Sequence, residues 1–491
     1  MEDTKEKKRA VEANRIIGYL ILALLSLVAF GLGGSTYMNI FLMFGFIFSL
    51  AIFTFSTDKI DKAKATDLLK YAIPLIVVGI FGSLSNFWIT YPGNSISGDF
   101  ISLFGVLSFF VLGYGIKKCK DIKIEWVIFA ILGGLALLVL ISTIYGLSRY
   151  GFFYLTKYAN NTYFYDGVYY SIGSEMKLLD GFKFSEVTIR YGSVYAFMLA
   201  ASLLTLLFID LKKNPIMFWV ILGEGLIGLL SFVALGNFKP LVYLIPVIIL
   251  ALCIRFIKFN PKFDKKEAIT GWVFFGIFAI LLLIVFINAI GGVNYFKNIR
   301  FIRTLFNNQF LLLPINQIIN ATFVDSATNA LKPLSILFGM NSAAHTSWGS
   351  SSNPVQLNSI NPNAMEFIML YEGGILAFLG LCAFFLFVIW GIRKWLREAD
   401  GVTAVKAFVA IFMFAWVVYM SFNSSVFPYI REKAAYVSPF RRNGLFYLFI
   451  FFAGYSATPF WKKKEAGAIQ GEHAAKHQEA AKEGSSNEIS L

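Results

Sequence analysis

Lys117–Leu147 reads KKCKDIKIEWVIFAILGGLALLVLISTIYGL, a basic cluster followed by a long uncharged run. Lys117, Lys118, Lys120 and Lys123 crowd its start, and Trp126–Leu147 then carries no Asp, Glu, Lys or Arg. An apolar run of about 20 residues is what a helix needs to cross the hydrocarbon core of a bilayer. In hydrocarbon each backbone N–H and C=O must be paired within the segment, so such a run reads as a helix. Lysines at its mouth mark the cytoplasmic side.

The same alternation extends in both directions. Apolar runs fall near 16–34, 38–55, 69–89, 98–116, 126–147, 191–209, 215–235, 239–257, 268–290, 371–391, 404–422 and 443–460. They predict an all-α integral membrane protein with about twelve transmembrane helices. Hydrophobic residues make up 57% of the 491, and charged residues only 15%. Mean hydropathy is +0.67. A soluble surface needs about a quarter of the residues charged, so lipid is the expected solvent.

Charge sets the orientation. The formal net charge is +14, and its cations collect in alternate short connections. Lys5, Lys7, Lys8 and Arg9 come first, then Lys59, Lys62 and Lys64, then the lysines quoted above. Lys212 and Lys213 follow, then Arg255, Lys258, Lys262, Lys265 and Lys266, then Arg393, Lys394 and Arg397, and finally Lys462, Lys463 and Lys464. The connections between these, such as Ser35–Tyr37, Thr90–Ser97 and Gly236–Phe238, carry almost no charge. This pattern places both termini in the cytoplasm. It also explains the basic balance without nucleic acid. The expected layout is a cytoplasmic segment 1–15, a membrane domain 16–460 and a cytoplasmic tail 461–491. Long outer loops are expected near 148–190, 291–370 and 423–442. The second is the largest, lies between the ninth and tenth helices, and exceeds the length of an ordinary connection. The last is an exception to the charge rule, since it holds Arg431, Lys433, Arg441 and Arg442.

The three cysteines, Cys119, Cys253 and Cys382, form no disulfide framework and no metal motif. Chemistry must come from residues that break the pattern. Glu224 stands within an apolar run, in Leu222-Gly-Glu-Gly-Leu226, where a carboxyl is costly. A structural partner on another span is its expected role, with proton coupling the functional alternative. Arg190 and Lys239 lie at the outer starts of the sixth and eighth spans, against the charge rule. Snorkelling to headgroups explains them; so does a clamp for a lipid pyrophosphate, which Arg can grip in bidentate fashion. Arg300 and Arg303, three apart in the large loop, can share a helix face and join them. His345 in the same loop is the one histidine outside the tail, and its imidazole can accept a proton near neutral pH. Glu366 and Glu372, beside the tenth span, are alternative general bases.

Leu337-Phe-Gly339, a polar run, and then Asn361-Pro-Asn-Ala-Met-Glu-Phe-Ile-Met-Leu-Tyr-Glu-Gly-Gly-Ile-Leu376 resemble the end of the large loop in the O-antigen polymerase and O-antigen ligase superfamily. Asn363, Glu372, Gly373 and Gly374 match its pattern, while Pro362 stands where the ligases keep a histidine. The hairpin from Ser231 to Lys239 resembles the family's Ser-Arg turn, and Arg190 resembles the basic residue before its sixth span. An Arg followed eleven residues later by Gly, as in some polymerases, does not occur after Arg149, Arg190, Arg300 or Arg303. The layout matches along nearly the whole chain. The resemblance implies a bacterial inner-membrane glycosyltransferase, a polymerase rather than a ligase, joining undecaprenyl-pyrophosphate-linked oligosaccharides at the outer face. It implies no metal and no other cofactor, because the leaving group is already activated. Its partners would be the lipid-linked glycans, the bilayer and other polysaccharide-export proteins. The alternatives are a secondary transporter or a lipid-oligosaccharide flippase. A glycosyltransferase of the type with an acidic pair in the first outer loop ranks third, since Ser35–Tyr37 has no acid.

Overall fold

The computed structural model describes residues 2–30, 35–55, 62–84, 96–118, 122–150, 187–235, 239–256, 337–339, 365–398, 401–422 and 444–458. Every regular element among them is helical. In chain order these are α1 (Glu2–Phe30), α2 (Ser35–Phe55), α3 (Lys62–Leu84), α4 (Ile96–Lys118) and α5 (Ile124–Tyr150). Next come α6 (Val187–Ser202), which tightens into a 3-10 turn (Leu203–Phe208), α7 (Pro215–Leu235) and α8 (Lys239–Phe256). Last are α9 (Met365–Leu396), α10 (Ala404–Phe422) and α11 (Gly444–Ser456). Three carry stretches long and apolar enough to cross a membrane: Ile124–Ile141 in α5, Pro215–Phe232 in α7 and Gly373–Leu396 in α9.

A helix occupies each expected apolar run except 268–290, which lies outside the described residues, as does the tail after 458. The helices overrun their apolar cores at several ends. α1 begins at Glu2, because Glu, Lys and Ala are good helix formers with or without lipid. Ser35–Tyr37, expected as a connection, is the first turn of α2. α9 starts at Met365, before its apolar run.

The helices are apolar on both faces. α7 buries Met217, Ile221 and Phe232 inside the bundle and exposes Ile216, Trp219 and Leu230 outside it. Large exposed side chains of this kind suit lipid and not water. Packing relies on close approach. Gly113 of α4 rests on the Phe451 carbonyl of α11, and Gly454 of α11 rests on the Phe110 carbonyl of α4. Only glycine allows both contacts, the usual means by which helices grip one another where water cannot drive them together. Aromatic rings fill the centre, with Trp416 stacked on Phe449 at 4.5 Å.

Contacts between helices fix their directions. α4 and α11 run parallel, since Phe109 meets Tyr447 at one level and Lys117 reaches the Ala457 carbonyl at another. α5 and α7 are also parallel, since Gly133 meets Glu224 and Thr143 donates to Ser231 at 2.9 Å. α3 and α9 are antiparallel: Gly391 lies on Tyr71, and Gly380 on Val77 and Val78. α6 and α7 are antiparallel through Gly228 on Ala196 and Gly225 on Leu203.

One end of the bundle is rich in lysine. There Lys117 of α4 and Lys406 of α10 lie over the ring of Trp395, at 5.4 and 5.8 Å. Lys117 also donates to the Ala457 carbonyl at 3.4 Å, and the Tyr71 hydroxyl to the Thr458 carbonyl at 3.1 Å. Together they bind the two residues that follow α11. Lys406 is only 3% exposed and pairs at 3.7 Å with Glu398, which is 47% exposed. Exposed Trp126, Trp219 and Trp390 lie toward the same end of their helices, where amphipathic rings mark a headgroup level.

Candidate functional site

Arg190, Lys239, Glu366 and Glu372 fall toward the opposite end, and the most specific feature there is a break in α9. Gly374 has φ 70° and ψ −172°, so the helix is interrupted two residues after Glu372. That conformation is open essentially to glycine alone. The break faces a short strap of the large loop, Leu337–Gly339. The Leu337 carbonyl and the Gly339 nitrogen occupy the place where a β-carbon on residue 374 would stand. Gly339 is itself at φ 78°. Phe338 stacks on Phe81 of α3, with centroids 5.9 Å apart and planes at 20°. Leu337–Gly339 and the break at Gly374 therefore meet, backbone against backbone. Glu366 and Glu372 lie on the part of α9 that precedes the break.

The basic pair is built by two neighbouring helix starts. Arg190 is in the first turn of α6, and Lys239 opens α8. Pro240 follows Lys239, at a point where its missing N–H costs nothing. Below them lies an aromatic cluster. Phe197 of α6 and Tyr243 of α8 both contact Tyr419 of α10, at 5.0 and 5.7 Å. At 1.5 Å per residue, Lys239 is about 6 Å and Arg190 about 10 Å above this cluster along their helices. Two helix N-termini, each with a positive end of the backbone dipole, thus bring a cation to the same end.

α10 packs on α6, α8 and α9. Arg190, Lys239, Glu366 and Glu372 share one end of the bundle, the first two at the starts of α6 and α8 and the others on α9 before its break. His345, Arg300 and Arg303 lie outside the described residues.

No protein-family model and no curated protein matches this chain.

Glu224 sits on the α5–α7 seam opposite Gly133, and its Oε2 is buried with no hydrogen-bond partner. The hydroxyls farther along that seam are engaged with each other and with the Ile227 carbonyl, and not with Glu224. Among the described residues no three His, Cys, Asp or Glu side chains gather as a metal group.

Sequence reasoning missed Phe81, Phe338 and the Tyr419 cluster. Tyr243 was recoverable, because a residue four beyond Lys239 shares its helix face. Phe81 was not, because nothing near it in the sequence refers to the loop.

Proposed function

We propose that the protein polymerises undecaprenyl-pyrophosphate-linked oligosaccharide repeat units at the outer face of a bacterial cytoplasmic membrane. The observation that carries this reading is the meeting of Leu337–Gly339 with the broken helix at Gly374, which joins the two parts of the family-like motif. On this reading the lysine end is cytoplasmic, both termini lie there, and the chain crosses the membrane about twelve times. The directions of α8 and α9 support that number. Both run antiparallel to α10, through Tyr243 on Tyr419 and Trp395 beside Lys406. A returning crossing is then needed between them, and 268–290 is the apolar run to supply it.

In the reaction, a hydroxyl of one repeat unit attacks the anomeric carbon of the other glycan. The bond to undecaprenyl pyrophosphate breaks, and the hydroxyl proton passes to a base. Arg190 and Lys239, aided by Arg300 and Arg303, neutralise the departing pyrophosphate. Glu372 is the preferred base because it adjoins the break; Glu366 and His345 are the alternatives.

A second reading, a secondary transporter, is favoured by one observation, the unpartnered oxygen of Glu224. One assay separates the two. Purified protein is incubated with the native lipid-linked repeat unit, without nucleotide sugar or metal, and products are resolved on a gel. A ladder of longer glycans that collapses in Arg190→Ala and Lys239→Ala is the expected result. Folded protein that yields no ladder would overturn the polymerase reading.

A further inference from the structure

We propose that Phe338, seated on Phe81, is a positioning residue for the site at the α9 break. This rests on the polymerase reading for its chemistry and on the strap's geometry for its placement. Three residues of the strap are among those the structure describes. Gly339 has no side chain, and Leu337 is 43% exposed. Of these three, Phe338 has the ring that can hold the strap in register, and its stacking partner lies on α3. α3 is also the helix on which α9 lies along its length, through Val77, Val78 and Tyr71. One helix thus supports both halves of the site: the broken helix directly, and the strap through Phe81.

The strap atoms nearest the β-carbon position of Gly374 are backbone atoms, and backbone contacts of this kind are lost on small displacements. The ring pair sets where Leu337–Gly339 lies against the α9 break, two residues after Glu372. A base misplaced by about 1 Å is enough to slow a reaction on the order of a hundred-fold. Phe338 itself need not touch substrate.

The test uses full-length protein with Cys119, Cys253 and Cys382 replaced by serine and a reporter, Ser342→Cys, just beyond the strap. Maleimide labelling of the reporter reads strap docking, and the glycan ladder reads turnover. Phe338→Ala is expected to speed labelling and to lower kcat by about ten-fold or more, with KM for the lipid-linked unit within about two-fold. Phe81→Ala is expected to do the same, the double variant to be no worse than either, and Phe338→Tyr to restore both readouts. Unchanged labelling and turnover in Phe338→Ala would overturn the proposal, as would losses that multiply in the double variant. If Phe338→Ala fails to fold, Phe81→Leu replaces it. Labelling does not depend on catalysis. A wild-type protein without a ladder would count against the polymerase reading, while the labelling rates would still decide the anchor.

Discussion

Two glycines at positive φ provide a matched pair for measuring what the strap does to α9. Gly374 (φ 70°) is pressed by the Leu337 carbonyl and the Gly339 nitrogen, whereas Gly401 (φ 69°) has open space where its β-carbon would go. Alanine at either position pays for an unfavourable backbone. At Gly401 this is the whole effect, about 1–2 kcal/mol. At Gly374 the backbone lies in a region nearly closed to side chains, worth about 1–3 kcal/mol. There the new methyl group must also displace the strap, and overpacking of that kind costs about 1–3 kcal/mol more. Gly374→Ala should therefore be the more destabilising by roughly the overpacking cost alone. Reversible unfolding in mixed detergent micelles, followed by circular dichroism, measures both variants against the parent. The glycan ladder should weaken in Gly374→Ala and persist in Gly401→Ala. Equal losses of stability in the two variants would refute the strap contact, and a neutral Gly374→Ala would refute the break itself.

Three further outcomes follow from the same packing. Gly113→Ala and Gly454→Ala each force apart the carbonyl contact between α4 and α11, and each should lower stability by about 1–3 kcal/mol in the same unfolding assay. Trp395→Leu removes the ring beneath Lys117 and Lys406 and beside Tyr455, and should cost about 2–4 kcal/mol, with faster proteolysis after residue 458. Glu224→Gln keeps the shape of a side chain that has no hydrogen-bond partner on Oε2, so a polymerase should keep its ladder within about two-fold. Substrate uptake into vesicles that depends on Glu224 would instead favour the transporter.

The helices themselves were legible in the sequence, because each apolar run meets lipid on its own terms and must satisfy its backbone internally. The segregation of cations was legible too, since it depends on which connections carry lysine and not on how helices touch. Alternation of direction then placed Arg190, Lys239 and Glu372 at one end. Tertiary structure decided the rest. In lipid, helices choose partners by shape, through glycine notches and ring contacts, and hydropathy says nothing of shape. Hence no run of sequence announced that Gly113 would lie on Phe451, or that α10 would pack on α6, α8 and α9. The Glu372-Gly-Gly triplet hinted at a special backbone. Only the strap arriving from the large loop, with Phe338 on Phe81, determined why the second of those glycines must have no side chain.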